Sequence, residues 1–179
     1  MQLASRRVYT GRVVRLDVDT VRFPDGSTGE LEVIRHPGAA AVVPCASDPA
    51  GKDPTILLLK QYRYATGGVL WEVPAGTLGP GEDPAACARR ELAEEAGVTA
   101  SELRPLTSIW TTPGFTDEVI HLYLATGLSP GTPARERDEF IEVEPQPLSR
   151  VLSRIRDGEI RDAKTIVAIL YLAGFTLGL

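Results

Sequence analysis

Within the stretch Arg90-Glu91-Leu92-Ala93-Glu94-Glu95-Ala96-Gly97-Val98, three carboxylates, those of Glu91, Glu94 and Glu95, fall inside five residues. On a helix, residues three and four apart are neighbours, so these acids project from one side as like-charge pairs. Exposed to water, each pair costs only about 0.2–0.5 kcal/mol. In a partly dry cleft, at a separation of ~6 Å and an effective dielectric of ~20, the repulsion per pair is about 3 kcal/mol. A divalent cation converts that penalty into a binding site. The segment has no His, and Cys87 lies outside the acidic cluster, so an all-oxygen ligand set suits Mg2+ or Mn2+ better than zinc. The plain alternative is a solvated acidic helix face.

The acids need a helix to hold them, and its limits are marked. Asp83 followed by Pro84 is a good N-cap and first-turn pair, and Gly97 is a C-terminal stop, which predicts a helix over 84–96. Ala85, Ala88, Leu92 and Ala96 form a narrow stripe of small apolar residues on what the spacing gives as the opposite face, suited to close packing on a sheet.

Elsewhere, Val8–Asp19 alternates as a strand, and Pro24-Asp25-Gly26-Ser27-Thr28-Gly29 turns the chain into a second strand over Glu30–Arg35, giving an N-terminal hairpin. Ala39–Pro44 and Thr55–Gln61 read as a strand pair in a buried sheet, with further strands at Leu70–Val73, Leu103–Trp110, Glu118–Thr126 and Phe140–Val143. Ser129–Asp138 is rich in Pro, Gly and charge and reads as a mobile loop. Leu148–Arg156 has helical spacing and stops before Gly158, and a last helix starts from Asp162 as cap. About three helices with eight or more strands in mixed order indicate an α/β sandwich.

A chain of 179 residues with 43% hydrophobic content can bury one compact core. A net charge of −5 and a pI near 5.1 argue against a nucleic-acid groove. No apolar run is long enough to span a bilayer and the first residues lack the apolar core of a signal peptide, so the expectation is a cytoplasmic protein with no membrane partner. Cys45 and Cys87 are too few for a disulfide framework and read as core thiols; His36 and His121 read as hydrogen-bonded structural residues.

Read in order, Gly76, five residues, Glu82, seven residues, Arg90-Glu91-Leu92, one residue, Glu94-Glu95, one residue and Gly97-Val98 resemble the signature box of the Nudix hydrolases at every defined position. The resemblance implies a Nudix-type α/β/α sandwich with a mixed sheet, and two or three Mg2+ or Mn2+ ions held against a nucleoside diphosphate linked to another group. It makes Glu91, Glu95 and the Ala75 carbonyl metal ligands, with Glu94 binding a further ion or shaping the site. Gly76, Glu82 and Arg90 become supporting residues, Arg90 orienting the acids through charge-assisted hydrogen bonds.

Within the family, Glu72-Val73-Pro74-Ala75-Gly76 and the Pro113 of Thr112-Pro113-Gly114-Phe115-Thr116-Asp117-Glu118, fifteen residues after Val98, resemble the ADP-ribose pyrophosphatase group. That group implies substrate contacts from Arg63, in Gln61-Tyr62-Arg63-Tyr64, and from Glu72 and Pro113. It also implies a homodimer with swapped N-terminal strands, in which Phe23 and Arg35 clamp the base. The division expected is an extension over 1–38 and a hydrolase domain over 39–179. A general base is expected in Arg135-Glu136-Arg137-Asp138-Glu139, with Glu139 also reaching the metals and Glu136 or Asp138 as rivals. Gly158–Thr165 resembles the family's lead-in to its last helix and reads as a packing signature. The implied reaction is metal-dependent hydrolysis of ADP-ribose to AMP and ribose 5-phosphate. Other nucleoside diphosphate sugars such as GDP-mannose, oxidised nucleotides, or ADP-ribose sensing without cleavage are the alternatives.

Overall fold

A computed structural model describes residues 1–134 and 140–178. The chain opens with strands β1 (Gln2–Thr10), β2 (Arg15–Arg22) and β3 (Thr28–Ile34), which form an antiparallel sheet in that order. The single strand expected over Val8–Asp19 is thus two: the Gly11 amide donates to the Val14 carbonyl at 2.8 Å and the chain reverses. Glycine weakens a strand interior, and β3 is too short to pair with a strand of that length. Every residue of β1 is exposed.

After this sheet come β4 (Ala39–Pro44), β5 (Thr55–Arg63), β6 (Gly68–Glu72), β7 (Ala75–Thr77), helix α1 (Pro84–Ala96), β8 (Val98–Trp110), β9 (Val119–Pro130), β10 (Ile141–Pro147), α2 (Leu148–Arg156) and α3 (Ala163–Tyr171). A π-helical turn, Leu172–Leu177, follows. All six residues of β4 are buried, as a continuous run of small and β-branched residues demands when both faces are covered. One face, with Ala41 and Val43, packs with Leu122, Val151 and Ile169; the other, with Ala40 and Val42, packs with Ala88 and Leu92 of α1.

The mixed central sheet has the order β7-β4-β9-β8, with β4 parallel to β9 and antiparallel to β7. Both edges of β4 are therefore taken, and β5 starts a second sheet, β10-β5-β6. The pairing expected between β4 and β5 shrinks to one isolated bridge, Cys45 to Ile56. β9 runs through Pro130, further than the sequence reading allowed, and its partner β8 accounts for the extension.

Helix α1 has the limits its signals predict. Asp83 Oδ2 accepts from the amides of Ala85 at 3.1 Å and Ala86 at 3.2 Å, and Gly97, at φ 67°, ends the helix with its amide on the Ala93 carbonyl at 3.1 Å. The buried arc is wider than the small-residue stripe: Cys87, Ala88, Leu92 and Ala96 are buried, but so are Glu91 and Glu95, while Ala85 is only partly covered. The acids flank the apolar stripe rather than oppose it, because positions 88 and 91, or 92 and 95, are adjacent on the helix. Among the described residues, no helix is long and apolar enough to cross a membrane.

Candidate functional site

Strand β7 lies at the edge of the central sheet. Val42 donates to the Pro74 carbonyl at 2.9 Å and Leu78 to Gly38 at 3.0 Å, so hydrogen-bonded pairs fall at 42/74, 40/76 and 38/78. Ala75, between them, turns its N–H and C=O away from β4. The Ala75 amide donates to Glu95 Oε2 at 2.9 Å, and the carbonyl lies on the same free edge. Beside it, Glu91 occupies the space of a missing side chain: a Cβ on Gly76 would stand 1.8 Å from Glu91 Oε1. Glu91 and Glu95 retain only 7% and 3% of their exposure.

Arg90 gathers the remaining acids. Its Nε donates to Glu82 Oε1 at 2.9 Å, Nη1 to Glu94 Oε2 at 3.1 Å and to Glu91 Oε1, and Nη2 to Glu82 Oε2 at 3.1 Å and the Thr77 carbonyl at 3.2 Å. The Gly79 amide donates to Glu82 Oε2 at 2.8 Å. Arg90 first, then Gly79, hold the Glu82 carboxyl down to about 2. Burial pushes the Cys87 thiol up to about 11, an inert filler rather than a nucleophile.

Among the described residues, no three His, Cys, Asp or Glu side chains already stand as a metal-holding group. The donor set fits a hard divalent ion all the same: buried carboxylates at Glu91 and Glu95 beside an outward carbonyl at Ala75, over a glycine that leaves room for them.

A second ionic group adjoins the strand that leads into β7. Arg63 grips Glu72 with two bonds, Nε to Oε1 at 2.8 Å and Nη2 to Oε2 at 2.9 Å. Lys164 Nζ also donates to Glu72 Oε2, and to Asp162 Oδ1 at 3.0 Å. Burial would raise the pKa of Glu72, but Arg63 and Lys164 outweigh it and the net shift is downward. Thr165 Oγ1 accepts from the Val73 amide at 2.9 Å and donates to Asp162 Oδ2 at 2.6 Å. The segment read as packing alone thus supplies Asp162, Lys164 and Thr165 to the polar network around Glu72 and Val73. The sequence carries one hint, a lysine in the first turn of a helix, where the dipole disfavours a cation.

Phe23 and Arg35, the two residues expected to clamp the base, are not brought together within the chain. Phe23 stands at the turn end of the β2–β3 hairpin and Arg35 just past the other end, and the register from Arg22/Thr28 to Leu16/Ile34 separates them by about 20 Å. Each guanidinium nitrogen of Arg35 already has a carboxylate: Nε with Asp17 at 3.1 Å, Nη1 with Asp117 at 3.3 Å, Nη2 with Asp19. Pro113, expected to touch substrate, lines a cleft of about 400 Å³ with Leu31, Trp110, Phe115 and Asp117, the last being also a partner of Arg35. The acids Asp17, Asp19 and Asp117 carried no local signal. Glu136, Asp138 and Glu139 lie outside the described residues; the chain leading to them is fastened to α1, with Ala134 N on the Glu94 carbonyl at 3.0 Å and Gly131 N on the Gly97 carbonyl at 2.8 Å.

A mixed-sheet α/β/α sandwich whose capped helix lays buried carboxylates over an edge-strand glycine defines a class of hydrolase. A NUDIX domain family model matches residues 35–168. The chain is 40% identical over 172 residues to the ADP-ribose pyrophosphatase of Bacillus subtilis (strain 168), covering 95% of this chain and 90% of that one. It is equally 40% identical, over 172 residues and the same shares, to the methanol dehydrogenase activator of Bacillus methanolicus. To the ADP-ribose pyrophosphatase of Mycobacterium tuberculosis (strain ATCC 25618 / H37Rv) the identity is 38% over 179 residues, 98% of this chain and 84% of that one. The crystal structure of an ADP compounds hydrolase superposes with a TM-score of 0.80 at 21% identity, over 96% of this chain and 91% of that chain, which shows the fold. The chain therefore belongs to the Nudix family, and its place there is among the pyrophosphatases.

Proposed function

We propose that this enzyme hydrolyses ADP-ribose to AMP and ribose 5-phosphate with bound Mg2+ or Mn2+. The observation that carries the reading is the pairing of buried Glu91 and Glu95 with Gly76 and Ala75, an oxygen-lined cradle at the edge of a sheet. When bound, two or three divalent ions supply charge neutralisation for the diphosphate and a more acidic water. Glu91, Glu95 and the Ala75 carbonyl would hold them, with Glu94 and Glu139 as further ligands. Arg90 and Glu82 keep the carboxylates oriented. Arg63, fixed by Glu72 through Nε and Nη2, would offer Nη1, for which no hydrogen bond is found among the described residues, to a phosphate oxygen. A water attacks one phosphorus in line, the bridging P–O bond breaks, and Glu139 takes the proton, with Glu136 or Asp138 as rivals. The attachment of Ala134 to Glu94 supports a base from that loop.

Within one protomer Phe23 and Arg35 cannot close on the same ring, so base recognition by them needs a homodimer with exchanged N-terminal strands. The wholly exposed β1 supports that assembly, and the family match starting at residue 35 supports an extension over 1–38 ahead of a domain over 39–179. The place of action would be the cytoplasm.

A second reading has a specific observation behind it. The GDP-mannose pyrophosphatase of Salmonella paratyphi B (strain ATCC BAA-1250 / SPB7) is 37% identical over 131 residues, 66% of this chain and 66% of that one. Nothing on α1 reads a base. A panel of ADP-ribose, GDP-mannose and other nucleoside diphosphate sugars, run with magnesium and again with a chelator, separates the two. AMP and ribose 5-phosphate should form fastest, and only with magnesium. Faster turnover of GDP-mannose would install the second reading, and undiminished cleavage after chelation would remove both. Binding of ADP-ribose with no AMP released would make the protein a sensor, a role that the full set of acids at Glu91, Glu94 and Glu95 argues against.

A further inference from the structure

Lys164 sits where its own helix does not want it. It occupies the first turn of α3, at the positive end of the helix dipole, and its side chain keeps only 13% exposure. What compensates is Glu72, which Lys164 shares with Arg63 through Oε2. Asp162, the other acid on Lys164, spends Oδ2 on the Thr165 amide at 3.0 Å and on the Thr165 hydroxyl. With Lys164 present, the two cations Arg63 and Lys164 balance the two acids Glu72 and Asp162. Without it the group carries one surplus negative charge. That charge would lie beside a site already holding acids; Arg63 is close enough to Glu95 to sense its charge.

We propose that Lys164 is a positioning residue for the substrate: by sharing Glu72 it holds the Arg63 fork fixed and keeps that guanidinium's charge from being cancelled, leaving Nη1 for a phosphate oxygen. This rests on the reading of Arg63 as the cation that meets the diphosphate. A lysine that merely pinned α3 to β6 would affect stability; one that sets the charge facing an anion affects binding, and any substitute cation of similar reach would serve.

The test uses the full chain with magnesium. K164M should raise KM for ADP-ribose about tenfold while kcat stays within about twofold, the pattern of an interaction made equally in ground and transition states. K164R should recover most of the loss. Calorimetric binding of a non-hydrolysable α,β-methylene ADP-ribose should weaken by the same factor in K164M, and that binding should be less sensitive to salt than in the wild type. If Met prevents folding, K164Q keeps a hydrogen-bond donor for Glu72 without the charge and should behave as K164M does. An unchanged KM, a K164R as impaired as K164M, or a loss confined to thermal stability would overturn the proposal while leaving ADP-ribose hydrolysis standing. A wild type that neither cuts nor binds ADP-ribose would instead remove the parent reading, and the role of Lys164 with it.

Discussion

Two arginines in this molecule are ringed by carboxylates, and they do opposite work. Arg35 is met by Asp17, Asp19 and Asp117, one acid for each guanidinium nitrogen, and so ties the N-terminal sheet to the β8–β9 connection, where the Asp117 side chain also accepts from the His36 amide at 2.7 Å. Arg90 is met by Glu82, Glu91 and Glu94, while Glu91 is also pressed into a glycine cradle and the neighbouring Glu95 accepts from the Ala75 amide. One cluster closes on itself and joins two parts of the fold. The other keeps buried oxygens aimed at an edge strand. Removing an acid from the first should cost stability, and from the second should cost chemistry.

E95Q leaves an acceptor for the Ala75 amide, so its thermal midpoint should stay within a few degrees of the wild type, while turnover of ADP-ribose should fall by roughly 10³-fold or more. Near-normal turnover would move the chemistry away from α1. G76A tests the cradle without touching an acid. Its Cβ would meet Glu91 Oε1 at 1.8 Å, so the carboxylate must move, and a displacement on the order of 1 Å costs about 10²-fold in rate. Steady-state kinetics beside a melting curve separates this from misfolding.

D17N belongs to the other cluster. It weakens the bonds from Arg7 and Arg35 to a buried position, so the melting temperature should drop by several degrees, while kcat of the remaining folded protein holds and any loss falls on KM, where Arg35 would bear on the base. A D17N that melts normally but loses kcat would put the Arg35 cluster in the chemistry and make the two clusters alike.

The same contrast governs what could be read from the chain. The α1 cluster is assembled from residues 76 to 97, so cap, stop, spacing and acids all appear in one window, and the helix limits followed from Asp83-Pro84 and Gly97. The Arg35 cluster is built from positions 7, 17, 19, 35 and 117, and no local pattern joins them. The β4/β5 pairing failed for a related reason: two apolar runs announce strands but not which sheet each enters, and the answer depended on β7 and β9 taking both edges of β4. The reversal at Gly11 lacks the Asn-Gly or Asp-Gly signature that marks a tight hairpin. Lys164 was visible only as a charge in an awkward place.

Within the α1 cluster, Glu82 should contribute to stability in a pH-dependent way. Its folded pKa, about 2, lies below the ordinary 4.5 because Arg90 and the Gly79 amide favour the ionised form. A depressed pKa means that the stabilising contribution is fully present above the unfolded value and is lost as pH falls through the folded one. Between about pH 4.5 and about pH 2, therefore, the wild type should shed stability as Glu82 takes up its proton. E82Q cannot titrate and lacks the charge at every pH, so it should melt slightly below the wild type near neutrality, and the gap should narrow steadily down that window. Melting curves recorded at a series of acid pH values would show it. A gap that stays constant would mean that Glu82 acts on Arg90 through shape and hydrogen bonding alone, and that the orientation of Glu91 and Glu94 does not depend on its charge.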